Sequence, residues 1–358
     1  MRLARLLNQR FLLFVVALVA GAAAAMPGYA QQNSFRQIVN IELNSLPFIV
    51  AQEEGIFRRN GLNVDTCISR GGVQQRAGSG MAIPPQHVCR RQGTGPDIND
   101  ELSEGNPDAG PFAISGGGPR VVRQMKEGRL ANTVILANFD PVTNWSILSR
   151  KEITEPVQLK GKRLGITGYS NINGFMALLF VQAMGWDPKS SDIHIVYGQR
   201  ELENLRKGDI DAAVVVSSVA VPGMAQGFNR LVDMRDWKIP MIGNSLHVDR
   251  TWLRNNRETA LRFVKSMVDA IALIKKDRQV AYRAMANWYG WTDPKQQAEL
   301  YTYLTELPSK PYPTEEQIVR YLKVYFPAEV WPLEPTAFYD DGLLRELDKS
   351  GYIDGLYK

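Results

Sequence analysis

The stretch "LPFIVAQEEGIFRRNGLNVD", residues 46–65, joins an apolar segment, a charged middle and an alternating tail. Glu53 and Glu54 lie opposite Arg58 and Arg59 at helical spacing, which indicates a solvated helix face. Gly61 follows, and glycine ends a helix in the left-handed conformation without a steric penalty. The residues after it, "LNVD", are typical of a strand. The stretch therefore predicts a helix that turns into a strand.

The same change from helix to strand recurs along the chain. Glycines at positions 128, 185 and 208 precede "TVILANF", "IHIVYG" and "IDAAVVV". Repeated alternation of this kind predicts an α/β architecture with mainly parallel sheets flanked by helices. From Asp249 onward the pattern is nearly all helical. The predicted strands are residues 37–43, 62–66, 113–115, 133–139, 163–167, 193–197 and 212–216.

Residues 1–30 have the pattern of a secretory signal peptide. Three arginines precede an apolar run and then a tract of small residues, and the run is shorter than the roughly 20 residues that span a bilayer. Cleavage after Ala30 is favoured, with Ala24 and Ala25 as alternatives. No cysteine follows the run, so we expect no lipid anchor. These features predict a soluble protein of the periplasm.

Charge and cysteine content narrow the class further. Without the three arginines of the signal, 39 Lys and Arg face 37 Asp and Glu, which argues against nucleic-acid binding. An exported chain favours a disulfide between Cys67 and Cys89 over free thiols or metal ligands, and we expect neither a metal nor a cofactor. Residues 70–111 show no clear period, so we interpret them as an insertion stapled by that disulfide.

Four segments in order carry a resemblance to a known family. They are the opening stretch, "LKGKRLGITGYSNINGFMALLFVQAMGWDP" at 159–188, "LRKGDIDAAVV" at 205–215, and "VDRTWLRNNRETALRFVKSMVDA" at 248–270. Together they resemble the solute-binding proteins of ABC importers for nitrate, sulfonate, taurine and related solutes, a group that includes thiamine-precursor proteins. The chain departs from the family pattern between residues 68 and 109.

The resemblance implies a two-lobed periplasmic-binding-protein fold of type II. Lobe 1 would comprise residues 33–140 and 244–358, and lobe 2 residues 141–243, with two chain crossings as the hinge. A monomer of this kind would deliver a small polar or anionic solute, such as a sulfonate, nitrate or carboxylate, to an ABC permease and its ATPase. The alternatives are an enzyme like the thiamine-precursor synthases and a sensing lobe for a membrane receptor. The sequence has no assembled catalytic motif, so we expect no enzyme.

The candidate ligand site follows from where parallel strands end. Ligands of α/β sheets bind beyond the carboxyl ends of strands, and helix N-termini there attract anionic groups. The alternative for each serine is a helix cap. Trp145, Asp140 and Asn138 are weaker candidates. The predicted ligand residues are Asn44, Ser45, Leu46, Pro47, Ser115, Gly116, Gly117, Gly168, Tyr169, Ser170, Asn171, Ser217 and Ser218.

Overall fold

Ten strands form three hydrogen-bonded sheets in the part of the chain that the structure describes. This computed structural model describes residues 33–39, 41–70, 73, 82–89, 110–116, 132–169, 171–198, 200–326, 328–331 and 333–358, with the side chains of 115 and 116 excepted. The predicted signal peptide and most of the predicted insertion lie outside these residues. The described residues belong to one unit, 33–358.

The strands are β1 (Ser34–Val39), β2 (Asn63–Ile68), β3 (Phe112–Gly116), β4 (Thr133–Asn138), β5 (Trp145–Ser149), β6 (Arg163–Gly165), β7 (His194–Val196), β8 (Ala212–Val216), β9 (Asn229–Asp233) and β10 (Asn244–Asp249). The helices, numbered over the described residues, are α1 (Leu46–Glu53), α2 (Ile56–Arg59), α3 (Ile172–Ala183), α4 (Glu201–Lys207), α5 (Ser217–Ala225), α6 (Arg250–Asn255), α7 (Arg257–Lys276), α8 (Arg278–Tyr289), α9 (Pro294–Thr305), α10 (Glu315–Tyr325), α11 (Gly342–Lys349) and α12 (Tyr352–Gly355).

The first hydrophobic core lies around β1 to β4 and β10. Strands β1 and β2 are parallel, while β10 lies between β3 and β4 and runs antiparallel to both. The Nε2 of Gln37 in β1 donates to the carbonyl oxygen of Phe112 at 3.3 Å, which places β1 beside β3. Helices α1 and α7 pack on each other at this core, and the ring of Phe263 in α7 stacks on that of Phe112 at 4.2 Å. The helix of the opening stretch is thus a core element.

The second hydrophobic core surrounds a five-stranded sheet in the order β7-β6-β8-β5-β9. Strand β6 is parallel to β7 and β8, whereas β5 is antiparallel to β8 and β9. Helix α3 contributes Phe175, Met176 and Phe180, all fully buried in this core. Most side chains of β5 and β8 are apolar and buried on both faces, which is typical of a strand covered by helices.

Two chain segments connect the sheets and pair with each other. Residues 140–144 lead from β4 to β5, and residues 239–243 lead from β9 back to β10. The amide of Thr143 donates to Ile239 O at 3.2 Å, that of Met241 to Pro141 O at 3.0 Å, and that of Gly243 to Asp140 O at 3.2 Å. We call these paired segments the connecting ribbon.

The predicted α/β architecture is confirmed, and each of the seven predicted strands overlaps an observed one. The first prediction ran too far, because residues after Val39 lead into a 3-10 turn at Leu43–Ser45. Three strands were missed: β5, β9 and β10. The sheets are also more mixed than the predicted mainly parallel order, because β5 and β10 each enter from the connecting ribbon and run against their neighbours. The predicted disulfide between Cys67 and Cys89 is present, with a Cα–Cα distance of 5.0 Å.

Candidate functional site

Helix α5 begins at the edge of the five-stranded sheet, immediately after β8. Its first two residues, Ser217 and Ser218, are completely buried, and neither hydroxyl has a hydrogen-bond partner within the described residues. The first turn of a helix also presents backbone N–H groups and the positive end of the helix dipole. This end of α5 therefore presents two buried hydroxyls that no described residue engages, at the positive end of the helix dipole.

Strand β5 adds further unused polar groups at the same edge. Trp145 pairs with Val216, the last residue of β8, so Asn144 and Ser217 each directly adjoin this terminal pair in the chain. Within the described part of the chain, Asn144 Oδ1, Trp145 Nε1 and Ser146 Oγ are buried without hydrogen-bond partners. Successive strand residues point to opposite faces of a sheet, so Ser146 lies on one face of β5 and Trp145 on the other. We use the name unpaired polar cluster for the five buried residues at this edge whose polar atoms lack partners: Asn144, Trp145, Ser146, Ser217 and Ser218. Each buried polar group left unpaired costs about 1–3 kcal/mol, so such a cluster is typical of a site that a ligand completes.

The turn after β6 lies beside this cluster. Asn173 in α3 accepts the amide of Thr167 at 2.7 Å through its Oδ1 and donates to the carbonyl of Val214 in β8. The turn is thereby fixed against the end of β8. A Cβ on Gly174 would lie 2.4 Å from the carbonyl oxygen of Tyr169, so glycine at this position allows α3 to approach the turn closely.

The predicted ligand residues of this turn have different surroundings. Asn171 caps α3, since its Oδ1 accepts the Gly174 amide at 3.1 Å and its Nδ2 donates to Thr167 Oγ1 at 2.7 Å. Both polar atoms of Asn171 are thus used within the turn, which favours the capping interpretation. Gly168 and Tyr169 stay predicted ligand residues, and Ser170 lies outside the described residues.

The predicted residues 44–47 follow β1 and lie at an edge of the first hydrophobic core. The Leu43–Ser45 turn leads directly into α1, with Pro47 in the first turn of the helix. Ser45 is fully buried, and its hydroxyl has no partner among the described residues. Leu46 is part of the hydrophobic core, which indicates a packing role. Ser45 is therefore the residue of this group whose hydroxyl is available for a hydrogen bond to a ligand.

Strand β3 ends at the same edge. Its Ser115 and Gly116 pair with Ser245 and Asn244 of β10, and the predicted Gly117 lies outside the described residues. The side chain of Asn244 donates to the Glu42 carboxylate, and its amide N–H donates to Asp140. At this edge the ends of β1, β3 and β4 lie beside the start of β10.

The two sheet edges share neighbouring elements. The connecting ribbon runs from Asp140 at the first edge to Asn144 at the second. Helix α9 contacts both the Leu43–Ser45 turn and helix α5. The structure therefore brings residues 44–47 and 115–116 together at one edge, and residues 168, 169, 171, 217 and 218 together at the other. Binding at these residues stays a prediction.

Asp140 is a buried acid at the start of the connecting ribbon. Its burial and the nearby Glu42 raise the pKa of its carboxyl well above the ordinary value, although hydrogen bonds from the Asn44 side chain and the Asn244 amide act in the opposite direction. A Cβ on Gly243 would lie 2.4 Å from the Asp140 Cβ, so the second ribbon segment passes very close. Burial beside Glu42 therefore favours the protonated form of this carboxyl.

Replacing Asp140 with asparagine is expected to stabilise the protein at neutral pH and to reduce the pH dependence of its unfolding. A raised pKa means that the folded state retains the proton more strongly, so the stability contribution is complete below about pH 4 and is lost as the pH rises through the raised pKa. Asparagine has no proton to lose, so its advantage should grow above about pH 4. Urea unfolding of both proteins, measured at several pH values from about 4 to 7, tests this prediction. The exposed Asp236→Asn is the control, and parallel pH profiles for D140N and the unchanged protein would contradict the prediction.

Sequence reasoning missed the asparagines that organise both edges. Asn144 and Asn244 flank the ribbon, and Asn173 joins α3 to β8. The available signal was the presence of polar residues in the two extended segments around "DPVTNWSI" and "MIGNSLHVD". Their partners lie far away in the sequence, so the contacts themselves could not be read from either segment.

Comparison with solved structures identifies the class of fold. The structure superposes with a TM-score of 0.67 on the periplasmic nitrate-binding protein NrtA from Synechocystis PCC 6803, at 14% identity over 89% of each chain. It superposes with a TM-score of 0.61 on the periplasmic aliphatic sulphonate binding protein SsuA from Escherichia coli, at 16% identity over 86% of this chain and 92% of that one. The fold is therefore that of the periplasmic binding proteins.

The sequence gives the family within that class. Residues 100–281, about half of the chain, match the family described as "NMT1/THI5 like". The chain belongs to the NMT1/THI5-like family. A putative ABC transporter periplasmic binding protein of Brachyspira hyodysenteriae is 23% identical over 161 residues, which is 45% of this chain and 45% of that relative's length.

Proposed function

We propose that this protein is the solute-binding component of an ABC importer and captures a small polar or anionic organic solute. The unpaired polar cluster at the N-terminus of α5 carries the proposal, because its buried groups need partners that the described residues do not supply. Helix N-termini provide both hydrogen-bond donors and a favourable field for an anion. A sulfonate, nitrate or carboxylate group suits the serine hydroxyls, the Trp145 indole N–H and the backbone N–H groups, whereas Asn144 Oδ1 is an acceptor and requires a donor on the solute or a bridging water.

Similarity supports the same reading. The related structures bind nitrate and aliphatic sulphonates, and the curated relative is described as a putative ABC transporter protein. In the proposed arrangement, residues 33–140 and 244–358 form one lobe, residues 141–243 form the other, and the connecting ribbon is the hinge. The solute would contact Ser45, Gly116, Gly168, Tyr169, Ser217 and Ser218.

The proposed setting is the periplasm. There, a monomer released from its signal peptide would present the solute to a membrane permease and its ATPase, without acting on the solute chemically. In the described residues, no helix is both long and apolar enough to cross a membrane. Closure of two lobes on a solute requires that the solute bind the closed state more tightly.

A thermal-shift screen tests the function. Nitrate, alkyl and aryl sulfonates, carboxylates and thiamine precursors are each added to the purified protein, and native mass spectrometry checks for a retained solute. A true solute should add about 2.7 kcal/mol of stability at a hundredfold excess over its Kd. Absence of any shift across the panel, together with turnover of one of the compounds, would instead favour an enzyme.

A further inference from the structure

Two tyrosines form an exposed pair beside the candidate site. Tyr169 follows Gly168 in the turn after β6, and Tyr197 directly follows β7. The amide of Ile166 donates to Val196 O at 2.8 Å and that of Gly198 donates to Thr167 O at 3.3 Å, so the two turns are joined. Strands β6, β7 and β8 are parallel, which places both rings at the same sheet edge as Ser217.

The exposure of this pair is unusual for the protein. Tyr169 is 44% exposed and Tyr197 65%, and their ring centroids lie 5.5 Å apart. Among the described residues, six large hydrophobic side chains are exposed, and Tyr169 and Tyr197 are the pair within this group that makes a ring–ring contact. The exposed part of an aromatic ring at the edge of a binding site gains free energy when an apolar partner covers it.

The main chain that carries Tyr169 is held firmly. Tyr325 in α10 donates its hydroxyl to the carbonyl oxygen of Tyr169 at 2.7 Å. The Tyr325 ring packs on Tyr321 at 4.9 Å, and Tyr321 packs on the buried Phe175 at 4.8 Å. The close approach of α3 at Gly174 fixes the other side of the turn. The ring is therefore presented from a rigid support, which lowers the entropy cost of binding.

We propose that Tyr169 and Tyr197 stack on an aromatic ring of the solute, whose acidic head binds the unpaired polar cluster. The solute is accordingly an aryl or arylalkyl acid rather than a short aliphatic one. This inference rests on the proposed function, since it assigns the ring to a solute that the same sheet edge holds. Aromatic pairs favour offset or tilted contacts at ring separations of about 4.5–7 Å, which an exposed, tilted pair of tyrosines can offer to a third ring.

Calorimetric titration with matched anions tests the proposal. Benzenesulfonate should bind the unchanged protein about tenfold more tightly than methanesulfonate, because it adds apolar area at the tyrosines. Tyr169→Ala and Tyr197→Ala should each weaken benzenesulfonate binding about two- to tenfold and weaken methanesulfonate binding by a clearly smaller factor, because only benzenesulfonate carries a ring that stacks on the tyrosines. Tyr169→Phe should retain the affinity. Tyr357→Ala is the matched control, as Tyr357 is exposed and has no ring contact among the described residues.

The outcomes separate the two proposals. Equal binding of both sulfonates, or binding of methanesulfonate alone, overturns the aromatic inference and leaves the solute-binding function standing. If neither sulfonate binds, the aromatic inference fails, and the solute-binding function is decided separately by the wider panel of nitrate, carboxylates and thiamine precursors. If the alanine variants bind benzenesulfonate normally but lower uptake in vesicles that contain the permease, the pair docks on the permease and the inference is wrong. Melting temperatures of all variants confirm that each one is folded.

Discussion

Replacing Ser217 with alanine should raise the melting temperature of the solute-free protein and weaken solute binding at least about tenfold. The Ser217 hydroxyl is buried and has no partner in the described structure, so its removal relieves a desolvation cost of about 1–3 kcal/mol. A hydrogen bond from this hydroxyl to a charged solute is worth about 1.5–3 kcal/mol, and every 1.4 kcal/mol corresponds to a factor of ten in affinity. Stability and affinity thus change in opposite directions.

Ser149→Ala is a matched control in the same sheet. Ser149 is equally buried, but its hydroxyl donates to the carbonyl oxygen of Ile153 at 2.8 Å. Its loss should lower the melting temperature and leave solute affinity unchanged. Differential scanning fluorimetry and calorimetric titration provide the two readouts. A Ser217→Ala protein that is less stable and binds the solute normally would mean that the hydroxyl is structural.

Removing the disulfide between Cys67 and Cys89 should cost about 3 kcal/mol of the free energy of unfolding. The bond closes a loop with a sequence separation of 22, and a cross-link of this span restricts the unfolded chain by about that amount. Residues 82–89 also make native contacts that do not involve the sulfur atoms. The amide of Cys89 donates to Ile68 O at 2.9 Å, and the His87 ring stacks on Trp288 at 4.0 Å.

Single and double variants separate the cross-link from the side chains. Cys67→Ala, Cys89→Ala and the double variant each lack the bond, so all three should unfold at similarly lowered urea concentrations. The unchanged protein in excess reductant should match them. If reductant has no effect while the alanine variants are destabilised, packing of the sulfur atoms accounts for the loss. If none of the variants is destabilised, the predicted contribution of the cross-link is wrong.

Apolar strands such as β8 could be predicted from the sequence, whereas β5 and β10, which follow the ribbon segments, and β9 could not. Strand β8 is an apolar run after Gly208, so its pattern and its position agree. Strand β10 is the central strand of its sheet but contains three buried polar residues, Asn244, Ser245 and His247. Because a central strand is usually apolar, this composition did not predict one. Burial of those polar residues depends on neighbouring strands, which a local pattern does not reveal.

The candidate site was likewise predictable only where it depends on local sequence. The turns that contain Ser45 and Ser217 were predictable because strand ends and helix starts are local features. The pairing of Trp145 with Val216, which brings the start of β5 to the end of β8, was not predictable, since it depends on the register of two strands separated by more than 60 residues. Burial without a partner is likewise a property of the assembled fold.

The connecting ribbon has a consequence for how this chain tolerates changes in length. Its two segments are bonded through Thr143 and Ile239, Pro141 and Met241, and Asp140 and Gly243. An insertion or deletion in one segment alone would shift these pairs out of alignment and move Trp145 away from Val216. Length changes here should therefore be accepted only as compensating pairs, one in each segment, so that natural variation in this region is correlated across about a hundred residues of sequence.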